Sequence, residues 1–213
     1  YTGLVTITPD YQRDWPRYFD AVANLGPRET LLNALAAYGP TDAANPPLAV
    51  DVGCGEGRDT RELLSRGWRV TAFDATPLAI ERLIARTGEQ ERGRLDALVL
   101  GFEDVATDSI LPRAAQLINA SFALPFCHPD AFPALWAWIV KTIVRGGLFA
   151  GQIFGDRDEW ASIRPGSHYS RDQTLALLAP FDLLHFEEVD KEGGDALGIT
   201  KHHHLFHVVA RKR

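Results

Sequence analysis

Asp51, Gly53, Gly55 and Gly57 alternate through Val50-Asp51-Val52-Gly53-Cys54-Gly55-Glu56-Gly57, and a second carboxylate, Asp74, follows twenty-three positions after the first. These residues suggest binding chemistry. Glycines at alternate positions let a backbone approach a ligand closely, because no Cβ intervenes. The segment that follows them reads as a helix, so the turn, with Cys54 inside it, sits at a helix N-terminus with free N–H groups. A carboxylate at the end of the next strand is placed to accept hydrogen bonds from ribose hydroxyls. Asp51, directly before the turn, suits a cation and would repel a pyrophosphate. The expected guest is a nucleoside carrying positive charge.

Acid–base chemistry would fall to histidine. His202-His203-His204 precedes His207 on a β-type run, where alternation puts His202 and His204 on one face and His203 and His207 on the other. Such a pair reads as structural or exposed, as an acid–base contact, or as two zinc ligands whose third partner the spacing does not locate. His128 follows the fourth strand and falls near the carboxyl-end cleft, as a surface or a catalytic group. The catalytic candidates are His128, His202 and His204, and no metal site is expected. Asp156-Arg157-Asp158-Glu159-Trp160 shares that rim, as a solvated helix start or a recognition element, and His168 and Tyr169 lie on a loop able to close over an acceptor.

The elements that must position these groups follow from periodicity. Residues 11–39 predict two short helices. The first carries an aromatic stripe, Tyr11, Trp15, Tyr18 and Phe19, which either packs on the sheet or forms a lid. The second, Glu29–Tyr38, carries Leu31, Leu32 and Leu35. From Leu48 the pattern alternates between strand and helix, as in a parallel sheet with crossover helices. Strands are expected up to Asp51, over Arg69–Asp74, Leu95–Leu100, Gln116–Ala120 and Gly147–Phe154. Helices are expected over Arg58–Ser65, from Thr76-Pro77 to about Thr87, and over Asp130–Val144. Ser170-Arg171-Asp172-Gln173 is a capping box opening a helix to Ala179, and Phe181–Val189 and Lys201–Ala210 make a terminal hairpin. The fold predicted is α/β: a doubly wound, Rossmann-like, seven-stranded and mostly parallel sheet with a terminal antiparallel hairpin. The 213 residues read as one domain, with residues 1–45 an N-terminal helical lid and 46–213 the α/β core.

Composition narrows the partners. A 46% hydrophobic content supports a proper core, and a net charge of −6 without a basic face disfavours nucleic acid. No apolar run approaches membrane-spanning length. The two cysteines, Cys54 and Cys127, form neither a disulfide framework nor a metal motif, as expected of reduced thiols in a cytoplasmic protein. The sequence begins at Tyr1 rather than methionine, so residues upstream are expected.

The order acidic-x-G-x-G-x-G, with Asp74 beyond it, resembles the first motif of class I S-adenosylmethionine-dependent methyltransferases. Residues 50–59, Val-Asp-Val-Gly-Cys-Gly-Glu-Gly-Arg-Asp, are strongly like the tellurite-resistance branch of the small-molecule group that includes the thiopurine enzymes. The resemblance covers roughly residues 48–155, and beyond them it is one of layout. It implies that Gly53, Gly55 and Gly57 wrap the methionine part of the donor, with Asp51 beside its ammonium. Asp74 would hold the ribose with Ala75 alongside. Phe102 and Glu103 would flank adenine, and Asn119 and Ala120 would line the methionine and sulfonium region. Strand four ends in Asn119-Ala120-Ser121, lacking the Asn-Pro-Pro-Tyr or Asp-Pro-Pro-Tyr signature of enzymes that methylate base amines or glutamine amides. The function expected is methylation of a small molecule, whether at sulfur, nitrogen, oxygen or a heavier chalcogen. The alternatives are a catalytically silent donor-binding regulator and, third, an NAD-type oxidoreductase.

Overall fold

The computed structural model describes residues 14–163 and 166–213. Tyr11 and the other residues of 1–13 lie outside that description. One sheet has the strand order β3-β2-β1-β4-β5-β8-β7. Its members are β1 (Leu48–Val52), β2 (Arg69–Asp74), β3 (Leu95–Val99), β4 (Ala115–Ala120), β5 (Ile143–Gly155), β7 (Phe181–Gly194) and β8 (Thr200–Lys212). β1 to β5 are mutually parallel, whereas β8 runs antiparallel to both β5 and β7. These are the seven strands expected. A two-residue strand, β6 (His168–Tyr169), adds to the end of β5.

Period-two alternation assigns the two faces. Val50, Val52, Ile118, Phe149 and Val208 pack with Leu135, Trp136 and Ile139 of α6 (Phe132–Thr142). Ala49, Val70, Leu117, Leu148 and Val209 pack on the opposite side with Leu31 and Leu35 of α2 (Glu29–Tyr38). Leu63 and Leu64 of α3 (Arg58–Ser65) and Leu83 of α4 (Pro77–Arg86) join that second layer. The same parity puts Asp51, Asn119 and Gln152 on the α2–α3 side, at the carboxyl ends of β1, β4 and β5. There Gln152 Nε2 donates to Thr30 Oγ1 of α2 at 3.0 Å.

Two boundaries differ from the periodic reading. α6 stops at Thr142, and β5 begins at Ile143 instead of Gly147. Thr142, Ile143 and Val144 are β-branched and favour extended backbone. A bulge separates the pairing of Ala115 with Ile143 from that of Leu117 with Leu148. The terminal strands also run further, pairing out to Gly194 with Thr200. That extension is held by polar groups that leave no apolar period, and Asp195 Oδ1 closes its turn by accepting from the N–H groups of Leu197 and Ile199 at 2.8 and 3.0 Å. The capping box forms as expected at α8 (Arg171–Leu177), with Ser170 Oγ accepting from Gln173 N at 3.3 Å.

Candidate active site

A cavity of about 460 Å³ opens at the carboxyl ends of β1, β2 and β4. The glycine turn forms its floor. Gly53, Gly55 and Gly57 have φ of 64°, 53° and 83°, conformations that side chains rarely adopt. The third does a separate job, because a Cβ on Gly57 would overlap Leu83, making it the contact through which α4 packs on the turn. A Cβ on Gly53 would come within 2.6 Å of Ala123 Cβ and 3.3 Å of Phe102 Cζ, so the turn sits against the cavity wall with no room for a side chain.

Asp74 ties the turn together. Its two oxygens accept from Gly55 N at 3.0 Å and Thr76 N at 2.8 Å. A carboxylate has about four lone-pair sites, so two bonds leave capacity for the hydroxyls of a guest. Asp51 is buried, accepting from Thr60 Oγ1 at 2.6 Å and from Asn119 Nδ2 at 2.9 Å. Asn119 Nδ2 also donates to Asp59 Oδ2 at 3.1 Å. Burial, and next the charge of Asp59, push the Asp51 carboxyl up to about 7. The Cys54 thiol is pushed well above its ordinary range by burial first and then by Asp51 and Asp74.

Arg58, the first residue of α3, also lines the cavity. Its Nε donates to the Gly26 carbonyl, while its buried Nη1 has no hydrogen-bond partner among the described residues. A buried guanidinium nitrogen left unpaired in a cavity wall is suited to an anionic group on the guest.

Of the residues expected at the site, Asp51, Gly53, Cys54, Gly55, Asp74, Ala75, Phe102, Glu103 and His128 line the cavity. Asn119 lies behind Asp51 and reaches the cavity through it. Ala120 packs in the core on the opposite side of the sheet, the consequence of its parity with Ile118. The aromatic stripe does line the cavity: Trp15, Tyr18 and Phe19 of α1 (Trp15–Val22) face it, with Trp15 5.1 Å from Phe126 between ring centroids.

His202 and His204 are held elsewhere, along the β7–β8 hairpin. His202 Nε2 bonds Asp190 Oδ1 at 2.7 Å, which with Glu192 raises its imidazole above the ordinary range. His204, buried, pairs with Glu188 Oε1 at 3.0 Å and with Arg157. The ligating atoms of Glu188, Asp190 and His204 lie within 4.8 Å of one another. Arg157 Nη2 bonds all three, at 3.0, 2.7 and 3.0 Å, so a guanidinium already supplies the positive charge there.

Sequence reasoning missed Asp59, Arg58 and Phe122. Asp59 and Arg58 gave little signal, since the first helical turn is ordinarily solvent-facing and only the packing of α3 over the end of β1 brings them to the cavity. Phe122 had none: its φ of 54° is imposed by Gln152 Oε1, which accepts its N–H at 2.8 Å from thirty residues away.

Residues 49–147 match the methyltransferase-domain family. Over those residues the chain is similar to a methyltransferase domain. No curated protein sequence matches the chain. Solved structures share the methyltransferase fold at low identity. TehB from Haemophilus influenzae superposes with a TM-score of 0.72 at 15% identity, over 92% of this chain and 66% of its own. The chain thus spans just under two thirds of TehB. The 1,6-didemethyltoxoflavin-N1-methyltransferase of Burkholderia thailandensis, solved with 1,6-didemethyltoxoflavin and S-adenosylhomocysteine, gives 0.63 at 24% identity, over 87% of this chain and 77% of its own. The N-methyltransferase NodS of Bradyrhizobium japonicum, with S-adenosylhomocysteine, gives 0.64 at 18%, over 94% and 93%.

Proposed function

We propose that this chain methylates a small molecule, holding S-adenosylmethionine in the cavity at the carboxyl ends of β1 and β2. One observation carries the reading. A single cavity brings together a glycine-rich turn, a buried carboxylate at Asp51, a second carboxylate at Asp74 and the Phe102–Glu103 wall. The turn at Gly53 and Gly55 would cradle the methionine part, with Asp51 beside its ammonium and Arg58 Nη1 toward its carboxylate. Asp74 and Ala75 would take the ribose, and Phe102 and Glu103 the adenine. When bound, the donor supplies an electrophilic methyl group on a sulfonium.

The rest of the chemistry is positioning and exclusion of water. Trp15, Tyr18, Phe122 and Phe126 also line the cavity and would orient the acceptor there. Their apolar surface keeps bulk water from the approach line. For an acceptor that still holds a proton, His128 is the imidazole at the cavity; its Nδ1 accepts from Asp130 N at 3.3 Å. A thiolate or another soft acceptor has no proton to lose and needs no base.

Parallel thermal melts with S-adenosylmethionine, S-adenosylhomocysteine and NAD test the donor. At a hundred times its dissociation constant a ligand stabilises by about 2.7 kcal/mol, which is several degrees here. The first two compounds should shift the melt and NAD should not. Asp74→Ala should abolish the shift, and an unchanged response in that variant sinks the ribose assignment. Methylation of any thiol, tellurite, selenite or amine in a panel separates an enzyme from a silent binder.

A further inference from the structure

We infer that Asp59 joins Asp51 in one two-carboxylate cation site, which releases a shared proton when the donor's ammonium enters. Asp59 is then a positioning residue for the donor, and donor binding is a proton-releasing step. The inference rests on the donor assignment above.

The geometry is specific. Both carboxylates line the cavity and both are buried, at 2% and 4% exposure. A single amide group, Asn119 Nδ2, donates to both, at 2.9 Å to Asp51 and 3.1 Å to Asp59. The other bonds come from neutral groups: Thr60 Oγ1 to Asp51, and Arg28 N to Asp59 at 2.9 Å. Among the described residues no lysine, arginine or histidine side chain forms an ion pair with either carboxylate. Two adjacent buried carboxylates do not both ionise without a cation, so the empty pair keeps a proton. Burial and the nearby Asp59 hold the Asp51 carboxyl up at about 7, in agreement with that expectation.

The surroundings do not supply the missing charge. β2 contributes Asp74, which adds a negative field, and the glycine turn contributes Cys54, whose thiol is pushed up by burial first and then by Asp51 and Asp74. β4 contributes the neutral Asn119. α3 contributes Arg58 and the segment before α2 contributes Arg28. Neither guanidinium bonds the pair: Arg58 feels the charge of Asp59 only through space and is repelled by Arg28. Tyr18 of α1 and His128 face the cavity from its far walls. A guest ammonium is therefore the cation that completes the site. One proton leaves to buffer as one positive charge enters, so the occupied site keeps the single negative charge of the empty one.

Titration calorimetry with S-adenosylhomocysteine, in buffers of different ionisation enthalpy, reads this directly. At about pH 6 the ligand amine is itself protonated, so any proton released comes from the protein. Close to one proton should be released there, falling toward none as pH rises through about 7. Affinity should rise about tenfold per pH unit below that point. Asp59→Asn, close to isosteric, should lower the release at pH 6 and displace the break in affinity to lower pH. An analogue of the ligand lacking the α-amino group should bind without proton release. Binding with no proton release at about pH 6, or an Asp59→Asn variant that releases as many protons as the parent, overturns the proposal and leaves the donor assignment standing. Failure of the parent protein to bind at any pH overturns both.

Discussion

Asp51 couples the site to stability as well as to binding. Its carboxyl is raised from 3.8 to about 7 in the folded chain, so between those values the folded protein holds a proton that the unfolded chain has lost. The stability contributed by this group is therefore full below about pH 4 and drains away as pH rises through about 7. The expected outcome is a melting temperature that falls across that window. In Asp51→Asn the fall is expected to flatten, which a pH series of melts for both proteins would show. Asp74 acts differently at the same scale. It holds the N–H groups of Gly55 and Thr76, so its removal loosens the turn even in the absence of ligand. Both aspartates were legible in the sequence because each ends an apolar run. Asp59 was not, because a helix's second residue is ordinarily solvent-facing, and only the packing of α3 over the end of β1 buries it.

Among the elements, α4 and the β7–β8 hairpin expose the sharpest dependences. Gly57→Ala forces a Cβ into a left-handed backbone and against Leu83. A loss of about 2–4 kcal/mol in denaturant unfolding is expected, from strain and overpacking together. The hairpin is anchored to the end of β5 by the buried pair Lys201–Asp158, and Asp158 also accepts from Trp160 N at 3.0 Å and His204 N at 3.1 Å. Lys201→Ala leaves that carboxylate buried and uncompensated, at an expected cost of about 3–5 kcal/mol. Arg157→Ala, by contrast, removes a solvent-facing clamp on Glu188 and Asp190, so amide exchange near residues 188–192 should quicken while global unfolding changes little. Strand alternation and glycine punctuation revealed the order of the elements. They could not reveal how far the hairpin runs, because its outer half is held by histidine–carboxylate pairs whose partners sit ten or more residues apart.

For the molecule as a whole, the proposed donor cavity and the histidine–acid network are separate structures on one sheet. S-adenosylhomocysteine is accordingly expected to slow exchange at the turn after β1, the tip of β2 and α1, and to leave the outer hairpin as it was. Uniform protection would contradict that separation. Parity decided much of this layout: Asp51, Asn119 and Gln152 share a sheet face because their strands run parallel in fixed register, whereas Ala120, one residue on, belongs to the other core. On the proposed reading the molecule must also survive the reagent it would carry. Cys54 sits in the wall of the cavity proposed to hold an alkylating compound, and an ionised sulfur there would be a ready target for self-modification. Burial and the aspartates that would grip the guest keep this sulfur in its unreactive, protonated form. Prolonged incubation with S-adenosylmethionine should therefore leave Cys54 unaltered in intact-mass and peptide spectra.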